Sequence, residues 1–498
     1  MEISLTRSAF RAAVAEIEQY SVDQQARSPA FLIPSRHLPP PRRSPLPELP
    51  APAVDSSRGR LTIAEASRRM AEGSLTAVEL AHQCLDAVAR RNPELNAFVH
   101  AIAAEHWMAQ AEALDMERRQ GKLRGPLHGI PITVKDVINV AGMPCTASSR
   151  VLANNVARED APAVALLRRA GAIITGKVHT HEFALGVTTP QSRNPWDASR
   201  DPGGSSGGSA ISVATGMCLG SLGTDTRAST RVPAALCGVV GFKPTFGLVP
   251  ASGVITLSWS LDHIGMLAGT VEDSAIMLTT LTLEGPGGDF TAHLNRDLQG
   301  LRVGVPAAAL ANAEPDVLRR FNDAVLALSS AGVKVVTIHQ PATQDFSRCN
   351  SMGLVVSRCE AANYHRDFNA DPALYTQPVA DQLDEASKVG AQTYLQAQRY
   401  REEFRARMLE LLGQYDALLM PTCRVPAPKS EEVEKYFLVL SLNCIPWSFI
   451  GFPAVSVPCG FTGAGLPVGA QLVAGPTEDA RLMSLAAGLE RALAGTGG

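Results

Sequence analysis

The alternation of apolar and polar positions divides the chain into unlike stretches. Residues 5–20 place apolar side chains along one face of a short amphipathic helix. Residues 28–54 then hold nine prolines, including Pro39-Pro40-Pro41 beside Arg42 and Arg43. Proline fixes φ and removes a backbone donor, so this stretch predicts an extended linker or a strap along the surface. From about residue 60, apolar residues recur at i, i+3, i+4 spacing in LTIAEASRRMAEG and SLTAVELAHQCLDAVARRN, which predicts two helices. Thr62 and Ser74 stand where N-caps belong, and Glu65 follows Thr62 by three residues as in a capping box.

Beyond these helices the period changes. GIPITVKD reads as a short strand ending in charge, APAVALLRRAG as a helix and AIITGKV as a buried strand. The same alternation runs through 210–285 and predicts an α/β fold with a mostly buried sheet. Residues 310–440 are more helical and more charged, and are expected to form a partly separate helical lobe. From Tyr436 to Thr477 no charged side chain occurs, but prolines and glycines break the apolar runs. Buried strands and turns fit this pattern, whereas a spanning helix needs ~20 unbroken apolar residues. The expected organisation is an N-terminal helix (1–27), a proline-rich linker (28–59) and one large domain (60–498).

Composition narrows the function. Lys plus Arg is 45 and Asp plus Glu is 48, a net charge of −3, which argues against a nucleic-acid or anionic-membrane partner. The nine cysteines, at 84, 145, 218, 237, 349, 359, 423, 444 and 459, are scattered, with no CxxC pair. They read as reduced core residues of a cytoplasmic protein, not as a disulfide frame or zinc site. Residues 1–20 carry Glu2, Arg7, Arg11, Glu16 and Glu18, so they lack the apolar centre of an export signal.

Three segments carry candidate chemistry. Pro202-Gly203-Gly204-Ser205-Ser206-Gly207-Gly208-Ser209 has linker composition, yet it lies inside dense α/β patterning. Glycines at that density allow a sharp turn and close approach to a ligand or another strand. Gly223-Thr224-Asp225-Thr226-Arg227-Ala228-Ser229-Thr230-Arg231-Val232-Pro233 reads either as a plain helix start capped by Asp225 or Thr226, or as a turn whose N–H groups bind an oxyanion. Lys135 ends a strand that looks buried, and burial favours a neutral amine.

Together these segments resemble the amidase signature family, with 24 residues between Ser205 and Ser229. NPWD (194–197), CGVVGFKPTFG (237–247), SLDHIG (260–265), TVED (270–273), GFPAVSVPCGF (451–461) and GLPVGAQLVAGP (465–476) extend the likeness over roughly residues 60–490. The resemblance implies a large mixed central sheet covered on both faces by helices. It also implies a Ser–cisSer–Lys triad: Ser229 as nucleophile, Ser205 after a cis peptide as proton relay, and Lys135 as base. The oxyanion hole would be the backbone N–H groups of Thr226, Arg227, Ala228 and Ser229. Arg227-Ala228 stands where the family usually has Gly-Gly, which would matter if either position needs φ > 0. Phe183, Ser206 and Trp447 are expected pocket residues. The implied substrate is a small amide, anilide or carbamate, with no metal or organic cofactor; a homodimer is an open option.

Four other readings compete, one of them a catalytically impaired amidase-like protein whose Arg227-Ala228 turn has lost its oxyanion donors. Gly203–Gly207 satisfies G-x-S-x-G, a nucleophile elbow that would need a preceding strand and His263 as base. His179 and His181 imitate an HxH metal site. Within the resemblance, the glutaminase-like component of tRNA-dependent amidotransferases shares the triad, but typically has Gln where this chain has Val232.

Overall fold

The computed structural model describes residues 5–24, 61–282, 288–340 and 345–495. The proline-rich stretch 28–59 lies outside the described residues. Eleven strands form one sheet: β1 (Phe98–Ala101), β2 (Pro131–Lys135), β3 (Ile173–Val178), β4 (Gly220–Asp225), β5 (Val240–Lys243) and β6 (His263–Ala268) come first. β7 (Arg302–Pro306), β8 (Lys334–Ile338), β9 (Ala417–Pro421), β10 (Ala454–Phe461) and β11 (Pro467–Val473) complete it. The spatial order is β1-β3-β2-β4-β6-β5-β10-β11-β9-β7-β8. β3, β2 and β4 run parallel, as do β9, β7 and β8, while the strands between them pair antiparallel. The sheet is mixed, as the resemblance implied.

Side chains alternate across a strand, so a fully buried strand feeds two cores. In β9, Ala417 and Leu419 join one core with the helices Ile63–Glu72, Ala77–Leu95 and Val271–Leu281, whereas Leu418 and Met420 join another. That second core is built from the helices Leu5–Gln24, Phe346–Arg366 and Ala391–Leu412. The two predicted strands GIPITVKD and AIITGKV are β2 and β3, paired parallel. The helical stretch 310–440 contributes β8 and β9 to the same sheet.

Local signals account for the helix starts, with one correction. Thr62 accepts from the Glu65 N–H at 3.0 Å, which is one half of the expected capping box. The next helix begins at Ala77, and its cap is Thr76, not Ser74. Thr76 and Glu79 make the reciprocal box, and the Ser74 hydroxyl instead donates to the Arg69 carbonyl. The N-terminal helix is longer than its periodicity suggested, spanning Leu5–Gln24. Phe10, Ala13 and Ile17 recur at helical spacing and are buried against the Phe346–Arg366 side of the fold. Arg7 Nε and Arg11 Nε donate to the Glu385 carboxylate at 2.6 and 2.8 Å.

This packing generates a stability prediction. Phe10→Ala and Ile17→Ala should each cost about 2–4 kcal/mol, the usual cost of emptying a buried site, read from urea denaturation. Arg11 stands in solvent at the same interface; a loss from Arg11→Ala as large as that from Phe10→Ala would contradict the assignment of this contact to apolar burial.

Candidate active site

β2 and β4 are parallel neighbours, so their C-terminal ends open on the same side of the sheet. Lys135 is the last residue of β2, and Thr224 and Asp225 end β4. The antiparallel β6 begins there with His263 opposite Asp225. Lys135 has no exposed surface. Its Nζ donates to Ser205 Oγ and to Thr224 Oγ1, both at 2.7 Å. Burial draws its ammonium down to about 7, against the pull of Asp225 and Asp262. The reference value of ~10.4 would leave only about four amines in ten thousand neutral at pH 7; near 7 about half are.

Ser205 is held by a polar clamp. The Gly204–Ser205 peptide is cis, and Gly203 has φ of 80°. Gly203 N–H donates to Asp201, and the Thr189 hydroxyl donates to the Gly203 carbonyl at 2.9 Å. The Ser205 carbonyl receives the His181 N–H, and Ser206 N–H donates to the Ser229 carbonyl at 3.1 Å. A Cβ added to Gly204 would lie 2.0 Å from the Thr188 carbonyl oxygen, so no larger residue fits there. The segment then enters the buried helix Gly207–Ala214, which removes the linker reading. It also removes the elbow reading, because DASRDPGG contains no strand.

Ser229 lies on the turn from β4 to the helix Arg231–Cys237, with its backbone tied to Ser206. The Asp225 carboxylate organises this turn. It accepts from Arg231 Nε (3.0 Å) and Nη2 (3.1 Å), from the Thr230 N–H and from Ser448 Oγ. Burial alone would raise this carboxyl; the Arg231 guanidinium outweighs it and holds the group well below the usual carboxylate range. Asp225 thus caps Thr230 from the strand end, in place of the N-cap role expected for it. Arg231 Nη1 reaches Gln471 Oε1 at 2.6 Å and so fastens the turn to β11.

The backbone N–H groups of Thr226, Arg227, Ala228 and Ser229 meet no hydrogen-bond acceptor among the described residues. Four donors left free at one turn form a ready oxyanion site. None of the four residues has positive φ, so Arg227-Ala228 in place of Gly-Gly brings no left-handed strain. Thr226 Oγ1 donates to Asp262 at 2.6 Å, and Asp262 also accepts the N–H groups of Leu257 and Ser258. Burial pushes Asp262 up to about 6 against those hydrogen bonds. Ala228 is fully buried beside Val232 and Leu236.

The three expected pocket residues are all buried. Ser206 Oγ bridges to the Thr224 backbone. Trp447 is fully buried, edge-on to Phe346, with Nε1 donating to the Asn443 carbonyl. Phe183 packs among His365, Phe368 and Tyr375. Phe183 and Ala184 have φ of 50° and 59°, and Ala147 and Ser148, which they meet through the Phe183 N–H, have 52° and 50°. Four non-glycine left-handed residues next to the Ser205 clamp cost roughly 1 kcal/mol or more each, a concentration of strain typical of functional sites.

The rival histidines are otherwise engaged. His181 Nδ1 faces Thr188, and His179 Nδ1 faces Ser148 Oγ. His263 Nδ1 faces only carbonyl oxygens, those of Leu261 and Asp225, so it carries the proton. Sequence reasoning gave no role to Asn350, on the helix Phe346–Arg366, whose Oδ1 receives Arg227 Nη2 at 2.6 Å. It also missed Glu360, which accepts from Ser258 Oγ and so steadies the Asp262 loop. Neither position had a signal of its own within an ordinary helical pattern.

Comparison with known proteins agrees with this geometry. The Amidase family model matches residues 79–483. An amidase of Pseudomonas putida is 36% identical over 432 residues, covering 82% of this chain and 91% of that protein. In Chloroflexus aurantiacus, the glutamyl-tRNA(Gln) amidotransferase has an A-type component that is 35% identical, covering 86% of this chain and 96% of its own. A solved amidase structure superposes with a TM-score of 0.78 at 32% identity, covering 86% of this chain and 99% of its own. This chain belongs to the amidase family.

Proposed function

We propose that this protein hydrolyses amide C–N bonds, carbamates included, through an acyl-enzyme on Ser229. The observation that carries this reading is the 2.7 Å hydrogen bond to Ser205 from a fully buried Lys135 that makes no ion pair among the described residues. In the forward step Ser229 Oγ attacks the carbonyl carbon while its proton passes to Ser205 Oγ, and the Ser205 proton passes to neutral Lys135. The carbonyl oxygen becomes an oxyanion facing the free N–H groups of residues 226–229. Lys135 then returns its proton through Ser205 to the leaving nitrogen, and the C–N bond breaks. Water, deprotonated by the same relay, releases the acid. Eight of the nine cysteines are buried, in keeping with reduced core residues of a cytoplasmic protein.

The likeness to the glutamyl-tRNA(Gln) amidotransferase component supports a second reading, a glutaminase that feeds ammonia to a partner. Arg227 and Val232 weigh against it. Turnover of simple amides by the purified chain alone, unchanged by glutamine, would separate the two.

Labelling with a fluorophosphonate should give one adduct, on Ser229, by peptide mapping; an adduct on Ser205 would overturn the assignment of nucleophile and relay. Ser229→Ala and Lys135→Ala should each lower kcat by roughly 10³-fold or more, and the double variant should be little worse, as for groups acting as a unit. Because the base works in its neutral form, kcat/KM should rise about tenfold per pH unit below 7 and level off above it. A profile that falls through 7 would contradict Lys135 as base. Asp225→Asn leaves the Arg231 charge buried and unpaired, and should cost about 3–5 kcal/mol in denaturant unfolding.

A further inference from the structure

Several guanidinium and ammonium groups are buried around the nucleophile turn, and they are satisfied differently. Lys177 pairs with Asp136 at 3.1 Å and Arg231 with Asp225 at 3.0 Å. Arg227 and Arg358 have no carboxylate partner among the described residues. Arg358 places each of its nitrogens on a neutral acceptor: Gln382 Oε1, Ser357 Oγ and the Leu185 carbonyl. Arg227 is less complete. It is 5% exposed, its guanidinium has Asn350 Oδ1 as its one hydrogen-bond partner among the described residues, and its Nε is buried with none.

Buried arginine without an anion is not inherently unusual here, as Arg424 shows. Arg424, however, satisfies all three nitrogens with Asn443 Oδ1 and the carbonyls of Ala308 and Ala311. A buried donor of a charged group is costly to leave unsatisfied, because nothing replaces the water it has lost. Burial and the nearby Arg358 both work against the Arg227 charge. The position is two residues before Ser229, within the turn whose N–H groups are free. A carboxylate is the planar partner that a guanidinium fork binds best.

We infer that Arg227, with Arg358 behind it, is the specificity determinant for an amide substrate that carries a carboxylate a few bonds from the scissile carbonyl. Asn350 holds the guanidinium in place, and the incoming carboxylate takes the open Nε side. The neutral, apolar amide that would suit the rest of this buried site then leaves the Arg227 donor unsatisfied and binds more weakly. The inference rests on the proposed Ser229 chemistry only for the identity of the bound group, so its test does not depend on turnover.

Calorimetric titration of Ser229→Ala protein with succinamate and glutaramate, against butyramide and valeramide, separates charge from shape. At least one anion should bind tenfold or more tighter than its neutral counterpart, and Arg227→Met in the same background should bring the two within about twofold. Equal binding of anion and neutral amide, or a preference that survives Arg227→Met, would overturn the inference. If Arg227→Met does not fold, Arg358→Met takes its place and should reduce the same preference at least threefold; an unchanged preference there would count against it. Absence of a fluorophosphonate adduct on wild-type Ser229 would instead defeat the proposed function, whatever the titrations give.

Discussion

The site depends on keeping an amine out of water without giving it a carboxylate. Lys135 sits at the C-terminal end of a fully buried strand, where its charged form is disfavoured. Acidic groups are close by, and each is committed elsewhere. Asp136, the next residue, holds Lys177 and the Thr146–Ser148 turn. Asp225 holds Arg231, and Asp262 holds Thr226. Were any of these carboxylates turned toward Lys135, the amine would stay protonated at neutral pH and could not accept a proton. The surrounding ion pairs therefore matter less for cohesion than for what they withhold from the centre.

The same buried polar contacts fix geometry. Ser205 and Ser229 come from segments 24 residues apart, and Ser206 joins them through its N–H and the Ser229 carbonyl. Thr189, His181 and Asp201 hold one segment, while Asp225 and Arg231 hold the other. Because every clamp is buried, water does not compete for these hydrogen bonds, and the loops have few alternatives.

Much of this was legible in the sequence, for identifiable reasons. Lys135, Ser205 and Ser229 each sit in segments whose composition is unusual for their surroundings, and those segments converge at adjacent strand ends. The strands β2 and β3 were readable because fully buried strands are nearly unbroken apolar runs. The cap at Thr76 was missed because Ser74 and Thr76 are both good caps, and only packing of Ala77 and Leu80 selects the register. Trp447 drew attention by residue type, and its ring lies in the second core with Phe346. Asn350, Arg358 and Glu360 were invisible because a buried polar residue on an amphipathic helix looks like any polar residue until its neighbours are known. The worry about Arg227-Ala228 came from glycine's conformational freedom and fades because the turn never visits positive φ.

The N-terminal helix reaches further into the site than its distance in sequence suggests. Glu16 accepts the Ser351 hydroxyl at 2.5 Å, one residue from the Asn350 that holds Arg227. Two inheritances meet there: Ser205 and Ser229 stand on turns beside the central sheet, while Asn350 and Arg358 belong to a helix laid over it. Changes before residue 25 could therefore retune which molecules are accepted while the bond-breaking apparatus is left intact. Selectivity in such an architecture can drift on a separate clock from catalysis.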